Sequence, residues 1–156
     1  MRRLLILLCL IPLTAWAAPV KETQISFSTL SKGVYSGLTQ PTQQIIRSEK
    51  IWLGVWAQLQ SHLVPIPPAP KVNFSKNTVV VVSLGQQSSG GHDIEVESVV
   101  LKGKVIEIGL AIQHPGPGCL TTQALTQPYH VISVPRRFTE AKFVEHIKAK
   151  PCGERR

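Results

Sequence analysis

Between residues 48 and 63 the apolar side chains recur at helical spacing. Ile51, Trp52, Val55, Trp56, Leu59 and Leu63 mark one face. Ser48 stands where an N-cap belongs, and Glu49 suits the positive N-terminal end of a helix. The pattern predicts one substantial helix over about 48–63, with the Trp52–Trp56 pair as core rather than as a ligand platform. The helix must stop before VPIPPAP, 64–70, whose prolines remove backbone donors and fix an extended, rigid connector. Elsewhere the period is two. ISFSTL, 25–30, reads as an edge strand, and TQQIIRS, 42–48, as a short one. TVVVVSL, 78–84, is a continuous β-branched run, the mark of a strand buried on both faces. DIEVESVVL, 93–101, alternates with Ile94, Val96, Ser98 and Val100 on one face. VIEIGLAIQ, 105–113, does the same with Ile106, Ile108, Leu110 and Ile112. KGK, 102–104, makes the two a hairpin. HPGPG, 114–118, breaks the sheet, and PYHVISVP, 128–135, resumes it. FTEAKFVEHIKAK admits a short helix capped by Thr139 or a strand around KFVEHI, and the strand is preferred. The sum is an α+β chain: a mostly antiparallel sheet, curved or barrel-like, with one main helix.

The N-terminus departs from this pattern. Arg2 and Arg3 precede an apolar run, Leu4 to Leu13, too short to span a bilayer comfortably, and Ala15-Trp16-Ala17 follows. Residues 1–17 therefore read as a secretory signal peptide cleaved after Ala17 or Ala18. The mature protein is expected to be periplasmic or secreted, with no stable membrane anchor. Cys9 leaves with the signal. Cys119 and Cys152 remain, and in an oxidising compartment two cysteines read as one disulfide. The net charge is +8, but its lysines and arginines are scattered except in the tail, at Lys148, Lys150, Arg155 and Arg156. Aromatic residues are 6% of the chain. With so little aromatic interleaving and an export signal, nucleic acid is not an expected partner.

The candidate chemistry gathers in LGQQSSGGHDIEV, 84–96. Gly85 to Gly90 has the glycine spacing of a phosphate-binding loop. However, Gly91 and His92 stand where Lys and Ser/Thr should, and a strand follows instead of a helix. Ser88, Ser89, His92 and Asp93 are residue types of nucleophilic catalysis, without a G-x-S-x-G elbow. His92, Asp93, His114 and His130 could converge as a metal or hydrolase site, although no close ligand spacing supports it. Neither a cofactor nor a metal is expected. The remaining reading is a shaped protein-binding loop: adjacent glycines allow positive φ, the serines offer adaptable hydrogen bonds, and a sheet holds the loop.

The same residues carry a family resemblance. VVVVSLGQQSSGGHDIEVESVV and GKVIEIGLAIQHPGPGCLTTQALTQPYHVISVP resemble the C-terminal domain of the PrcB family, named for a protease-complex subunit. The counterparts of its elements are Gly85, Ser89-Gly90-Gly91-His92, Pro115-Gly116-Pro117-Gly118 and Leu125-Thr126-Gln127-Pro128-Tyr129-His130. The upstream YSGLTQPTQQIIRSEKIWLGVW is similar to the family's lead-in strand and Trp-containing helix, so the resemblance covers roughly residues 34–135. One departure is that the family's Thr-Gly-Gly-Tyr is here Ser-Gly-Gly-His. The resemblance implies an exported, non-catalytic module that associates with a protease and stabilises or inhibits it. Its expected contact surface is Ser88, Ser89, Gly90, Gly91 and His92, with Pro115, Gly116, Pro117 and Gly118, and with Thr126, Pro128 and Tyr129. The implied organisation is a signal at 1–17, a lead-in at 18–33, the PrcB-like domain at 34–147 and a basic tail at 148–156. From other classes, a small periplasmic hydrolase or metal-binding enzyme using His92, Asp93, His114 and His130, or an envelope structural protein, remain alternatives.

Overall fold

The computed structural model describes residues 21–151. The expected signal peptide and Cys152 lie outside them. Eight strands and one helix follow in the order β1 (Glu22–Gln24), β2 (Ser28–Gly33), β3 (Thr42–Ile46), α1 (Glu49–Leu59), β4 (Thr78–Ser83), β5 (Asp93–Lys102), β6 (Val105–Pro115), β7 (Tyr129–Val134) and β8 (Ala141–Lys150). The strands form two four-stranded sheets, β1-β5-β6-β8 and β2-β7-β4-β3. Among the described residues no barrel closes, which corrects the barrel-like expectation. The α+β class and the antiparallel majority hold: β8 pairs with β6 in parallel, and the other strand pairs are antiparallel.

Period-two alternation explains the layering. On β4, Val80 and Val82 face the first sheet, while Val79 and Val81 face α1. β7 divides in the same way: Ile132 and Val134 point to the first sheet, Tyr129 and Val131 to the helix. The second sheet is thus the middle layer, and its central strands are buried on both faces, as the valine run predicted. The first sheet supplies Ile94, Val96, Val99, Ile106, Ile108, Leu110 and Ile112 to the shared core.

Several local readings change. The strand expected over 25–30 begins at Ser28, because between β1 and β2 the chain passes from one sheet to the other. Ile25 and Phe27 pack on the core across that passage. The helix ends at Leu59 rather than near 63. Ser48 has extended backbone at the N-cap, but its side chain makes no cap hydrogen bond. Trp52, Trp56 and Leu59 are buried, whereas Ile51 and Leu63 are exposed. The proline-rich segment is laid against the helix: Trp52 Nε1 donates to the Pro70 carbonyl at 3.0 Å and Trp56 Nε1 to the Pro67 carbonyl at 2.8 Å. In β5 the pairing jumps from Val96–Leu110 to Ser98–Gly109, which leaves Glu97 as the extra residue of a β-bulge. The bulge resets the alternation, so Val99 rather than Val100 reaches the core.

Candidate functional site

The loop between β4 and β5 is stitched to the segment before β7. Gln87 and Thr126 exchange backbone hydrogen bonds of 2.7 and 3.1 Å. The Thr126 hydroxyl donates to the Ser89 carbonyl at 2.8 Å, and the Gly90 N–H to the Thr122 carbonyl at 2.9 Å. Gly91 has φ +89°, and a Cβ there would stand 3.0 Å from Pro115 Cγ. The positive φ favours glycine at this position, and the approach of Pro115 would leave a Cβ little room. The Ser88–His92 loop, Pro115 and the Thr126 segment, singled out separately in the sequence, therefore form one continuous surface.

His92 is the centre of a side-chain network. Its Nδ1 lies 2.8 Å from Nδ1 of His114, with the rings edge to face. Its Nε2 lies 3.3 Å from the Ser89 hydroxyl, which donates to the Gly90 carbonyl. One assignment satisfies all three contacts: His114 donates to His92, His92 donates to Ser89, and Ser89 donates to the backbone. Burial, and then the neighbouring His114, hold the His92 pKa below the usual imidazole range, so the neutral ring that this network needs is favoured. A cleft of about 430 Å³ opens beside it, lined by Lys32, Gly33, Val34, Gly91, His92 and Asp93.

The remaining candidates lie elsewhere. Asp93 does not orient His92. One of its carboxylate oxygens takes the Ile94 N–H and the other meets Lys32 Nζ at 3.1 Å, while Lys32 also bonds Glu95 at 2.9 Å. Burial opposes the Lys32 charge, but the hydrogen bonds to Glu95 and Asp93 outweigh it and raise its pKa. His130 is 1% exposed. Its Nδ1 accepts the Val96 N–H at 2.9 Å, so the ring's proton sits on Nε2 and is donated to Thr29 Oγ1, also at 2.9 Å. Nδ1 ties β7 to β5 of the other sheet and Nε2 ties it to the neighbouring strand β2, so both nitrogens are used and the ring does not join His92 and His114. Among the described residues no cluster of three or more His, Cys, Asp or Glu side chains could hold a metal.

Thr126, Pro128 and Tyr129 are buried, which moves them from contact residues to supports. The Tyr129 hydroxyl bonds Ser31 at 2.8 Å, and its ring lies against Gly33 under the helix layer. Gly90 is buried as well, whereas Ser88, Gly91, Pro117 and Gly118 are exposed and Ser89, His92, Pro115 and Gly116 are half-buried. Sequence reasoning missed the apolar neighbours of this surface. Val34 lines the cleft and is exposed, as are Tyr35 beside it and Leu125. The Gln127 N–H donates to the Val34 carbonyl, which brings the Leu125 segment against Val34. The visible signal was the pair of large apolar residues in KGVYSGL, a stretch otherwise composed for turns.

Cys119 is engaged in a contact, while Cys152 lies outside the described residues, so their bridge belongs with the proposals. Residues 78–135 match the model of a protein family described as PrcB C-terminal. No curated protein and no solved structure matches the chain.

Proposed function

We propose that this chain, which belongs to the PrcB C-terminal family through residues 78–135, is an exported, non-catalytic module that binds another protein, and that its partner is a protease it stabilises or restrains. The observation that carries the binding reading is the construction of the His92 surface. Backbone hydrogen bonds from Gln87 and Gly90 to the 122–126 segment and the buried Thr126 hydroxyl fix the loop from beneath, and exposed apolar residues flank it. A loop already ordered before binding loses little conformational entropy on association. Tyr35 and Leu125 offer the kind of apolar anchors that carry binding energy, with Ser88 and the half-buried His92 as polar contacts beside them. The protease identity rests on the resemblance of the loop and turn motifs alone.

The test is affinity capture from the envelope extract of the native host, with partners identified by mass spectrometry. The control is Tyr35→Ser/Leu125→Ser, two exposed positions whose replacement leaves the core intact. A protease retained by the wild-type protein and lost by the variant is the expected outcome. Its turnover of a peptide substrate, with and without this chain, then separates stabiliser from inhibitor. Capture of no protease, or equal capture by the variant, sinks the reading.

A further inference from the structure

At the opposite end of the sandwich from His92, the turn joining β5 to β6 meets the connection from β7 to β8. Between them lies a groove of about 520 Å³. Four cations line it: Lys104 from the hairpin turn, Arg136 and Arg137 from the connection, and Lys142 from the start of β8. Arg47 and Arg137 share a smaller adjoining hollow. All five side chains belong to exposed residues, and none makes a salt bridge among the described residues. The acid within the lining is Glu140. Glu107 acts electrostatically on Lys142, but its carboxylate already meets Lys102 Nζ at 2.8 Å. The floor is apolar. Phe138 and Ala141 pack against the core from beneath, and Val105 stands 53% exposed at the rim.

We propose that this groove binds an acidic peptide segment, with carboxylates on the cationic rim and an apolar side chain on the Phe138–Ala141 floor. The inference is independent of the role of the His92 surface. Adjacent guanidinium groups suit carboxylates because each offers a planar fork of donors that takes both oxygens. The excess of unpaired cations over the single lining acid supplies the charge complementarity and would speed encounter. The volume suits a few side chains. The concave shape sets the groove apart from a bilayer contact, which a flat or convex basic face serves better. The apolar floor sets it apart from a site for a free inorganic anion.

The test uses the purified protein and a short fluorescein-labelled peptide in which glutamates flank a leucine–phenylalanine pair, followed by fluorescence anisotropy. Two comparison peptides replace the glutamates by glutamines or the apolar pair by serines. We expect the acidic apolar peptide to bind, and each comparison peptide to bind at least about tenfold more weakly, a loss of about 1.4 kcal/mol. Arg136→Gln/Arg137→Gln and Lys104→Gln/Lys142→Gln should each weaken it by a similar factor. Lys71→Gln/Lys76→Gln, which removes equal charge from exposed positions outside the groove lining, should change it less than about twofold. All the substituted residues are exposed, and unchanged melting curves show that the fold is retained. Equal binding of the glutamine or the serine peptide overturns the proposal, as does binding undiminished in both groove variants. Binding to phosphatidylglycerol vesicles that both groove variants abolish, with no binding of the peptide, replaces it with a membrane contact.

Discussion

His130 shows what one residue does in this fold. It sits on β7, opposite Lys32 on β2 and Val82 on β4, and reaches across the core to the Val96 N–H at the edge of the β5 bulge. A buried backbone donor without a partner costs about 1–3 kcal/mol. His130→Leu should therefore destabilise the protein by at least about that much, and His130→Gln, which restores an acceptor, by less. Urea denaturation measures both. The ring also makes stability depend on pH. Burial, and then the Lys32 charge, push the His130 pKa below its ordinary 6.5, against the opposing pull of Glu95 and Asp93. A folded-state value below the unfolded one means that the unfolded chain takes up the proton first on acidification. The stability from neutral His130 is therefore complete above about pH 6.5 and is lost as pH falls through that value towards the lower folded one. The variants should lose less stability than wild type between pH 7 and 5, and an unchanged slope would remove His130 from this role. The sequence identified His92 and Ser89 as candidates for a shaped loop because they stand among glycines. It could not separate His92 from His130, since a histidine on a two-face-buried strand and one at a strand end look alike until the neighbours are known. Tyr129 was misplaced for the same reason: the PYH motif is visible, but which face each residue takes depends on the layers on either side.

At the scale of elements, legibility followed the strength of each period. The valine run of β4 was readable because an unbroken β-branched stretch fits a strand buried on both faces, and the β5–β6 hairpin because β6 keeps one alternation and β5 keeps it up to Val96. The bulge at Glu97 was not, because a one-residue slip leaves the composition unchanged and moves Val99 into the place expected of Val100. The helix was readable in kind and too long in extent. Leu63 continues the spacing, yet the chain has already turned towards the proline segment. That segment is a strap as well as a connector, since the two buried indoles hold it through Pro67 and Pro70. A hydrogen bond of this type contributes about 0.5–1.5 kcal/mol. Trp52→Phe/Trp56→Phe should cost at least about 1–3 kcal/mol in chemical denaturation and make residues 64–70 measurably more susceptible to limited proteolysis. Unchanged cleavage would mean that the strap is held by packing alone.

At the scale of the molecule, the chief surprise is β8. A strand around KFVEHI was the preferred reading; it runs over Ala141–Lys150, and its direction was not foreseen. Parallel pairing needs a crossover, and here β7, in the other sheet, lies on that route. The same connection brings Arg136 and Arg137 beside Lys104 and Lys142, so cations scattered in sequence become neighbours in space. Direction also bears on the cysteines. Because β6 and β8 run the same way, they leave the sheet at one end, with Pro115 paired to Lys150. Cys119 lies four residues beyond Pro115 and Cys152 two beyond Lys150. Neighbouring strands are about 4.8 Å apart, within the range of Cα separations that a disulfide spans. An antiparallel β8 would instead carry Cys152 to the Arg136 end. The register therefore favours a Cys119–Cys152 bridge, which would close a loop of roughly 33 residues and, on the chain-entropy account, stabilise the fold by about 3–4 kcal/mol. It would also hold β8 at the sheet edge beside the Pro115–Gly118 turn of the candidate surface. A non-reducing peptide map should show the cross-link, and Cys119→Ser/Cys152→Ser should lower stability by about that amount. A map with both thiols alkylated in protein purified under non-reducing conditions would leave β8 held by strand pairing alone.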